Sequence, residues 1–361
     1  MPFSIFKNLF SKKALGIDIG VSSIKVVEVS LAGKKHKLEN YFEFRFPAQK
    51  SLAFEAFDKQ NLLLLTDEVA QVLNSLLQKL GIKQKKAAFA IPDFSTFFTS
   101  FTLPPMTEAE IPQAVQFEAR HHIPISLSEV TFDWKIMREE EKGKPVKGSK
   151  LRVLLVAVPN NVLRAYQRLA AISQLEIVGV EAEVFGLVRA IVPEELSQQV
   201  ACLVDFGWQS TTVSIVDQGR LSRSHSFDFS GIALTESLSH ELNLGFAEAE
   251  KLKKEHGLDL KEERVARILI NRINGLSLEI DKICHDFNQT EDREVNSVIL
   301  SGGTSLLFGL KEYLGSRLQK PVRLADPFVS FDYPEKLENR LKEIGPSFAV
   351  ALGVGLMAAG A

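Results

Sequence analysis

Apolar residues along the 361-residue chain follow two rhythms. Short dense apolar runs closed by Gly, Pro or Asp predict buried strands. Apolar residues recurring at every third and fourth position predict helices that bury one face. The first rhythm opens the chain: Gly16–Val29 reads as a strand, a tight turn holding Asp18 and Gly20, and a returning strand, and His36–Phe46 reads as another. Residues 48–65 are irregular. Over Asp67–Leu80 the second rhythm takes over, with Val69, Val72, Leu73, Leu76, Leu77 and Leu80 on one face. Thr66 or Asp67 can cap that helix, and Gly81 ends it. Lys85–Ile91 is a buried-type strand stopped by Pro92.

Residues 94–158 have an order of their own. Phe94–Leu103 is strand-like, a helix runs from a Thr107/Glu110 capping box to about Ile123, and Val130–Met137 and Leu151–Val158 are strands. The charged, glycine-bearing stretch Arg138–Lys150 reads as an exposed hairpin loop. Pro112 removes a bond from the helix, which leaves its start open. Helices are expected over Asn160–Ser173 and Val184–Ile191, with the segment Leu175–Glu183 returning to the first domain between them. Past a strand near Val200, helical spacing covers Gly231–Leu244, Phe246–His256 and Glu263–Phe287, and sheet resumes at Val295.

The opening pattern returns. Leu203–Val216 aligns with the first hairpin at a constant offset, so that Asp18 falls on Asp205, Gly20 on Gly207 and Ser23 on Ser210. Each copy runs on to a further turn with a basic residue, Gly33-Lys34 and Gly219-Arg220. A repeat this widely spaced predicts two related halves facing a shared cleft, a favoured place for a ligand. Gly20 permits a sharp turn and close approach of backbone to ligand, and successive N–H groups in such a turn make an anion-binding concavity. Asp18 cannot hold a phosphate, but it suits a metal ion or its water shell. Later, Val298–Ser305 reads as a buried strand ending in the turn Gly302-Gly303.

Composition narrows the classes. Lys and Arg total 43 against 45 Asp and Glu, a net charge of −2, so no broad nucleic-acid surface is expected. Cys202 and Cys284 lack metal-ligand spacing and suit a reduced, buried role. Adjacent His121 and His122 point about 100° apart on a helix and do not share a metal. No apolar run approaches the ~20 residues that span a bilayer. The apolar stretch Phe348–Ala361 is shorter and broken by Gly353, Gly355 and Gly360. With no secretory signal evident, a cytoplasmic location is expected. Phe3, Ile5, Phe6, Leu9 and Phe10 with Lys7, Lys12 and Lys13 suit either a short interfacial anchor or a terminus tucked onto the first domain.

The two Asp-x-Gly hairpins and the late Gly-Gly turn resemble the actin, chaperone and sugar-kinase ATPase superfamily. Ala249–Gly257 is similar to the Ala-Glu-x-x-Lys-x-x-x-Gly helix by which bacterial actins contact the ribose and base. The strand-helix-strand-strand order after Pro92 resembles the inserted 1C subdomain of the FtsA and PilM branch. Within that branch the chain resembles the PilM family of type IV pilus assembly. The marks are Asp18–Lys25, Leu103-Pro104 before Met106–Ile111, Gln116–Pro124, and the ending Ala351–Leu356. The same marks fit related adaptors of secretion or DNA-uptake systems. FtsA usually extends past that ending to a membrane-targeting helix.

The implied fold class is α/β: an actin-like ATPase fold of two related α/β halves around a nucleotide cleft, with an inserted 1C-type subdomain. The expected domains are 1–92 with 176–197 (first core), 93–175 (insertion), 198–230 with 291–361 (second core) and 231–290 (helical lobe). The resemblance implies ATP and Mg²⁺ as cofactors. Gly20, Val21, Ser22 and Ser23 would meet the phosphates, with Lys25 near the outer ones. Gly207, Ser210 and Thr211 would form the second phosphate turn. Asp18 and Asp205 would hold Mg²⁺ through water, Glu250 and Lys253 the ribose, and Gly302, Gly303 and Thr304 the adenosine side. Glu183 is expected to position an attacking water. Two departures stand out: Val21 where many relatives have Ser or Thr, and Trp208-Gln209 where superfamily members have glycines. Bulk at that turn predicts slow hydrolysis or none.

Two functional classes follow. One is a nucleotide-regulated adaptor that binds the cytoplasmic tail of a PilN-like inner-membrane protein. Pilus assembly ATPases and further copies of the chain are additional expected partners. The other is a catalyst, an ATPase or a kinase of the sugar or acid type, against which the 1C-like insertion argues.

Overall fold

The computed structural model describes residues 12–32, 35–46, 57–58, 61–62, 67–137, 140–141, 144–145, 150–191 and 199–360. The basic-apolar start over 1–11, the Gly33-Lys34 turn, the cap Thr66 and the boundary expected at 197/198 lie wholly or partly outside the described residues, as does much of 48–65 and 138–149.

The first half begins with β1 (Lys13–Ile19), β2 (Ser23–Ala32) and β3 (Lys35–Arg45). The short β4 (Phe57–Asp58) and β5 (Asn61–Leu62), helix α1 (Asp67–Lys79) and β6 (Lys86–Ile91) follow. The insertion comprises β7 (Phe97–Leu103), α2 (Ile111–His122), β8 (Val130–Met137), the short β9 (Glu140–Glu141) and β10 (Lys144–Pro145), and β11 (Leu151–Pro159). Helix α3 (Asn160–Ile172), β12 (Glu176–Ala182) and α4 (Glu183–Ile191) return the chain to the first half.

The second half has β13 (Val200–Phe206), β14 (Thr211–Asp217) and β15 (Arg220–Phe227). Its lobe is built of α5 (Gly231–Leu242), α6 (Phe246–His256) and α7 (Glu263–Glu291). Then come β16 (Ser297–Ser301), α8 (Leu310–Leu318), β17 (Val322–Leu324), β18 (Phe331–Asp332) and α9 (Glu338–Ala359).

The strand orders make the repeat physical. The first sheet runs β12-β6-β1-β2-β3-β18 and the second β15-β14-β13-β16-β17. In each, a hairpin of antiparallel strands lies beside one parallel strand: β1 between β2 and β6, β13 between β14 and β16. Strands buried on both faces need near-continuous apolar runs, and β13 meets that with Val200, Ala201, Cys202, Leu203 and Val204 all buried. Cys202 and Cys284 are buried free thiols in the second half's core.

The insertion is a three-stranded sheet, β7-β11-β8, with α2 across one face. Helix α2 starts at Ile111, so Pro112 sits in its first turn, where a missing N–H costs little. Glu110 accepts from the Thr107 amide at 2.8 Å and the Thr107 hydroxyl at 2.7 Å, ahead of that start. Helix α3, expected within the insertion up to residue 175, packs instead in the core of the first half. Tyr166 lies against Phe89 at 5.7 Å and its hydroxyl donates to the Ala90 carbonyl at 2.6 Å.

Helix α9 leaves the second half and packs on β1, β2 and β6 of the first. It starts well before Phe348, and over Glu335–Ala359 the helical stretch is long and apolar enough to cross a membrane; 89% of its most apolar window is buried inside the fold. Glycines allow it to settle there. A Cβ on Gly16 would lie 2.0 Å from the Ala351 carbonyl oxygen, and one on Gly353 would lie 1.8 Å from that of Gly186 in α4.

Candidate functional site

Both hairpin turns lie at strand ends facing each other across the interior, and they close in the same way. The Gly20 amide donates to the Ser23 carbonyl at 2.9 Å, and the Gly207 amide to the Ser210 carbonyl at 3.0 Å. Among the described residues the amides of Val21, Ser22, Trp208 and Gln209 meet no backbone carbonyl, which leaves two sets of N–H groups at the cavity between the halves. That cavity encloses about 370 Å³. Asp18, Gly20, Val21, Ser22, Ser23 and Lys25 line one wall, and Gly207, Ser210, Gly302, Gly303 and Thr304 line the other, together with Glu250 and Lys253.

Strand register fixes the charged floor. Asp18 stands directly opposite Lys25 across β1 and β2, and the ammonium lies 3.4 Å from the carboxylate. Asp205 is opposite Thr212 in the second hairpin. Burial, and then the nearby Asp18, push Asp205 up to about 6, while Lys25 and the Ser301 hydroxyl act against the shift. Glu183 opens α4, its carboxyl pushed well above the ordinary range by burial first and then by Asp18, Asp93 and Asp205. Acidic groups raised by burial first and then by one another, with Lys25 on one wall and Lys253 and Lys254 on the other, suit a divalent cation. Among the described residues no three His, Cys, Asp or Glu side chains are arranged to hold an ion.

Asp93 escaped the sequence reading. It follows Pro92 at the end of the parallel strand β6, the end of an open α/β sheet at which ligands gather. Its amide donates to the Glu183 carboxylate at 3.2 Å, and its own carboxylate accepts from the Val184 amide at 3.1 Å. The two acids thus bracket the start of α4. Burial pushes Asp93 up to about 7 against the Val184 bond.

Glycines again set the shape. Gly302 has φ +84°, and a Cβ there would lie 2.4 Å from the Phe206 carbonyl oxygen. Thr304 donates to the Gly207 carbonyl at 2.9 Å, tying the late turn to the second hairpin. Thr211 does not line the cavity: fully buried, it donates its hydroxyl to the Phe229 carbonyl at 2.7 Å beneath the turn.

On α6, Glu250 and Lys253 form an internal network. The Lys253 ammonium lies 2.7 Å from Glu250 and donates to the Gly231 carbonyl and the Thr235 hydroxyl, both at 2.7 Å. Burial lowers Lys253, with Glu250 opposing. Lys254 reaches the other Glu250 oxygen at 2.9 Å and keeps most of its side chain exposed at the cavity. The Trp208 indole leans toward this network, 4.7 Å from the Lys253 ammonium and 6.2 Å from the Phe246 ring. Trp208 and Gln209 still line the cavity, with the indole braced by the helical lobe.

Two related α/β halves with matched turns around a carboxylate-floored cleft define an actin-like ATPase fold. Solved structures agree. The chain superposes on the PilM-PilN type IV pilus biogenesis complex with a TM-score of 0.82 at 22% identity, covering 96% of this chain and 99% of that one. It also matches the ethanolamine utilization protein EutJ of Carboxydothermus hydrogenoformans, with a TM-score of 0.57 at 18% identity over 97% of this chain and 92% of that one. MreB5 of Spiroplasma citri bound to ADP gives 0.51 at 13% identity, over 96% of each chain. The family model for type IV pilus assembly protein PilM matches residues 16–359, and the chain belongs to that family. Among curated proteins it is similar to cell division protein FtsA of Helicobacter pylori, 26% identical over 255 residues, covering 62% of this chain and 51% of that protein. FtsA of Agrobacterium fabrum is 25% identical over 226 residues, covering 55% and 49%. The chain spans about half the length of the curated relatives it matches.

Proposed function

We propose that this chain is an ATP-binding actin-like adaptor of type IV pilus assembly, held at the inner face of the inner membrane by the cytoplasmic tail of a PilN-like protein. The observation that carries the nucleotide part is the pair of superposable turns, Gly20–Ser23 and Gly207–Ser210, flanking Asp18 and Asp205 in one cavity. The turn amides, the serine hydroxyls and Lys25 would take the phosphates. Asp18 and Asp205 would hold Mg²⁺ through its waters, and the ion would supply positive charge to the phosphates. Glu250 with Lys254 would meet the ribose, with Lys253 acting from behind as the brace of Glu250. Glu183, protonated or poised by its neighbours, would hold a water near the outer phosphate with Asp93 fixing its direction. Turnover is expected to stay far below the ~10 s⁻¹ typical of enzymes.

The partner part is supported by membership of the PilM family and by the likeness in fold to the PilM-PilN complex. The inserted subdomain is the surface we assign to the tail. Its phenylalanines divide their duties: Phe101 is buried in the small core, Phe98 packs on Phe185 of α4 at 5.9 Å, and Phe117 on α2 is 59% exposed beside His121. Calorimetry with Mg-ATP and with a PilN-like tail peptide tests the two parts separately. Wild-type protein should bind both, and Asp18→Ala or Asp205→Ala should abolish nucleotide binding alone. No heat from Mg-ATP with folded wild type overturns the nucleotide part, and no heat from the peptide overturns the partner part.

A further inference from the structure

The first sheet has two ends. At one of them β1 delivers Asp18 to the cavity. At the other begin β1, β3, β6 and β12, which all run toward the cavity end. A strand rises ~3.3 Å per residue, so roughly 17 Å of β1 separates Lys13 from Asp18.

The end away from the cavity is rich in lysine. Gln84, just before β6, turns inward: its side-chain amide donates to the Lys13 carbonyl, and its oxygen accepts from the Lys85 and Lys86 amides at 2.8 and 2.9 Å. Its neighbours Lys83 and Lys85 are exposed, as are Lys12 beside the start of β1 and Lys79 at the close of α1. Among the described residues none of these four lysines forms an ion pair. Nearby, Glu28 is held by Lys13 at 3.1 Å and Glu39 by Lys37 at 3.0 Å, and exposed Glu176 stands opposite Lys86 in register. A chain whose net charge is −2 thus gathers positive charge at one end of a sheet.

Apolar groups stand among these cations. Leu31, whose amide donates to the Lys12 carbonyl at 2.8 Å, and Leu80, next to Lys79, are both exposed. Residues 1–11 lead in sequence into this end. They lie outside the described residues and bring Phe3, Phe6 and Phe10 with Lys7. Lysine interspersed with exposed apolar side chains suits the boundary between anionic lipid headgroups and acyl chains. A nucleic-acid backbone would use the lysines and leave the apolar groups in water.

We propose that the end of the first half that carries Lys12, Lys79, Lys83 and Lys85 rests directly on an anionic lipid surface, with Leu31, Leu80 and the phenylalanines of residues 3–10 entering the interface. The contact is made by this chain itself and needs neither a PilN-like tail nor a nucleotide. The cavity, and the insertion that starts from the cavity end of β6, belong to the opposite end of the sheet.

The probe is a vesicle of equal parts phosphatidylglycerol and phosphatidylcholine, sedimented with the full chain and no partner. Binding at low salt should be at least tenfold stronger than to phosphatidylcholine alone. It should fall at least tenfold by about 0.5 M salt, where surface charges are screened. Lys83→Glu with Lys85→Glu should weaken it about tenfold while the melting temperature stays unchanged. Phe6→Ser with Phe10→Ser should weaken it by a similar factor. Arg267→Glu with Arg272→Glu makes the same change of charge at exposed positions on α7 of the helical lobe, and it should bind as wild type does. No binding to the mixed vesicles, no preference for phosphatidylglycerol, equal losses from the two double reversals, indifference to the phenylalanine changes, or tighter binding to duplex DNA at the same salt each overturns the proposal.

Discussion

The turn Gly20–Ser23 is braced by the end of β3, where the Phe46 amide donates to the Ser22 carbonyl at 3.0 Å. The turn Gly207–Ser210 is braced by the start of α5. The Gly231 and Ile232 amides donate to the Gly207 and Trp208 carbonyls at 3.0 and 2.8 Å, and Thr304 adds its hydroxyl. First-turn amides of a helix have no partner within it, so the second turn satisfies donors that α5 would otherwise leave open. The backbone paths match, yet the first turn depends on a sheet edge and carries a lysine opposite its aspartate. The second is welded to the helical lobe and carries a threonine there. A duplicated fold has thus kept its geometry while dividing the chemistry: the lysine paired with a floor aspartate sits on one side and the rigid frame on the other.

The largest effect should come from disturbing the late turn that holds the second hairpin. Gly302→Ala puts a Cβ 2.4 Å from the Phe206 carbonyl oxygen at a φ of +84°. Strain of this kind costs about 1–3 kcal/mol, and nucleotide binding should fall below detection in calorimetry; binding within threefold of wild type would refute the close approach. Next comes Lys25→Thr, which gives the first hairpin the pairing of the second. Loss of hydrogen bonds from a charged group costs roughly 1.5–3 kcal/mol, so Mg-ATP affinity should drop about tenfold to a hundredfold. An unchanged dissociation constant would mean that Lys25 serves Asp18 alone.

The turn glycines themselves should respond unequally. A Cβ on Gly207 would lie 2.9 Å from the Ser210 carbonyl, whereas one on Gly20 would lie 3.5 Å from that of Ser23, an ordinary contact. Gly207→Ala should cost stability of about 1–3 kcal/mol, as other forced overpacking does, and Gly20→Ala should be near neutral in a denaturant melt. Equal losses would show that the two turns are interchangeable.

The smallest effect is in pH. Asp205 and Asp93 are raised to about 6 and about 7, above the ordinary carboxyl value of ~4 that the unfolded chain has. The folded, metal-free protein therefore binds protons that the unfolded chain releases. This contribution to stability is complete below about pH 4 and is lost as pH rises through 6 to 7. Wild type should lose more melting temperature than Asp205→Asn between pH 5 and pH 8, and Mg-ATP should narrow the gap because a cation favours the charged carboxylate. Parallel profiles would count against burial holding the Asp205 carboxyl up.

Much of this contrast was legible in the chain. The constant offset that sets Asp18 on Asp205 and Gly20 on Gly207 is a property of residue order, and order is what a hairpin preserves. Strand limits such as Val130–Met137 are legible where Val130, Phe132, Trp134 and Ile136 alternate with Thr131, Asp133 and Lys135. Asp93 was hidden because nothing local marks a carboxylate whose partners lie on α4, far along the chain. Lys253 lines the cavity, as its place on the Ala249–Gly257 helix implies, but neither resemblance nor helical spacing says what else covers it. Its cover is Thr235, the Gly231 carbonyl and the Trp208 ring, all from other elements. The limit of the insertion was misjudged for the same reason: Tyr166 and its neighbours on α3 have a helical stripe, and only the fold decides which sheet that stripe meets.

The crossing of α4 and α9 has a mechanical consequence. At Gly186 and Gly353 the two helices meet backbone to backbone, and Arg189 of α4 spans the joint, pairing with Glu181 and donating to the Gly353 carbonyl. Side chains that interdigitate act like gear teeth and resist sliding; a contact of two glycines has none. Contact this close leaves no room for a side chain, so a methyl group on Gly353 would pry α9 from α4 and, with it, from the strands β1, β2 and β6 on which it also lies.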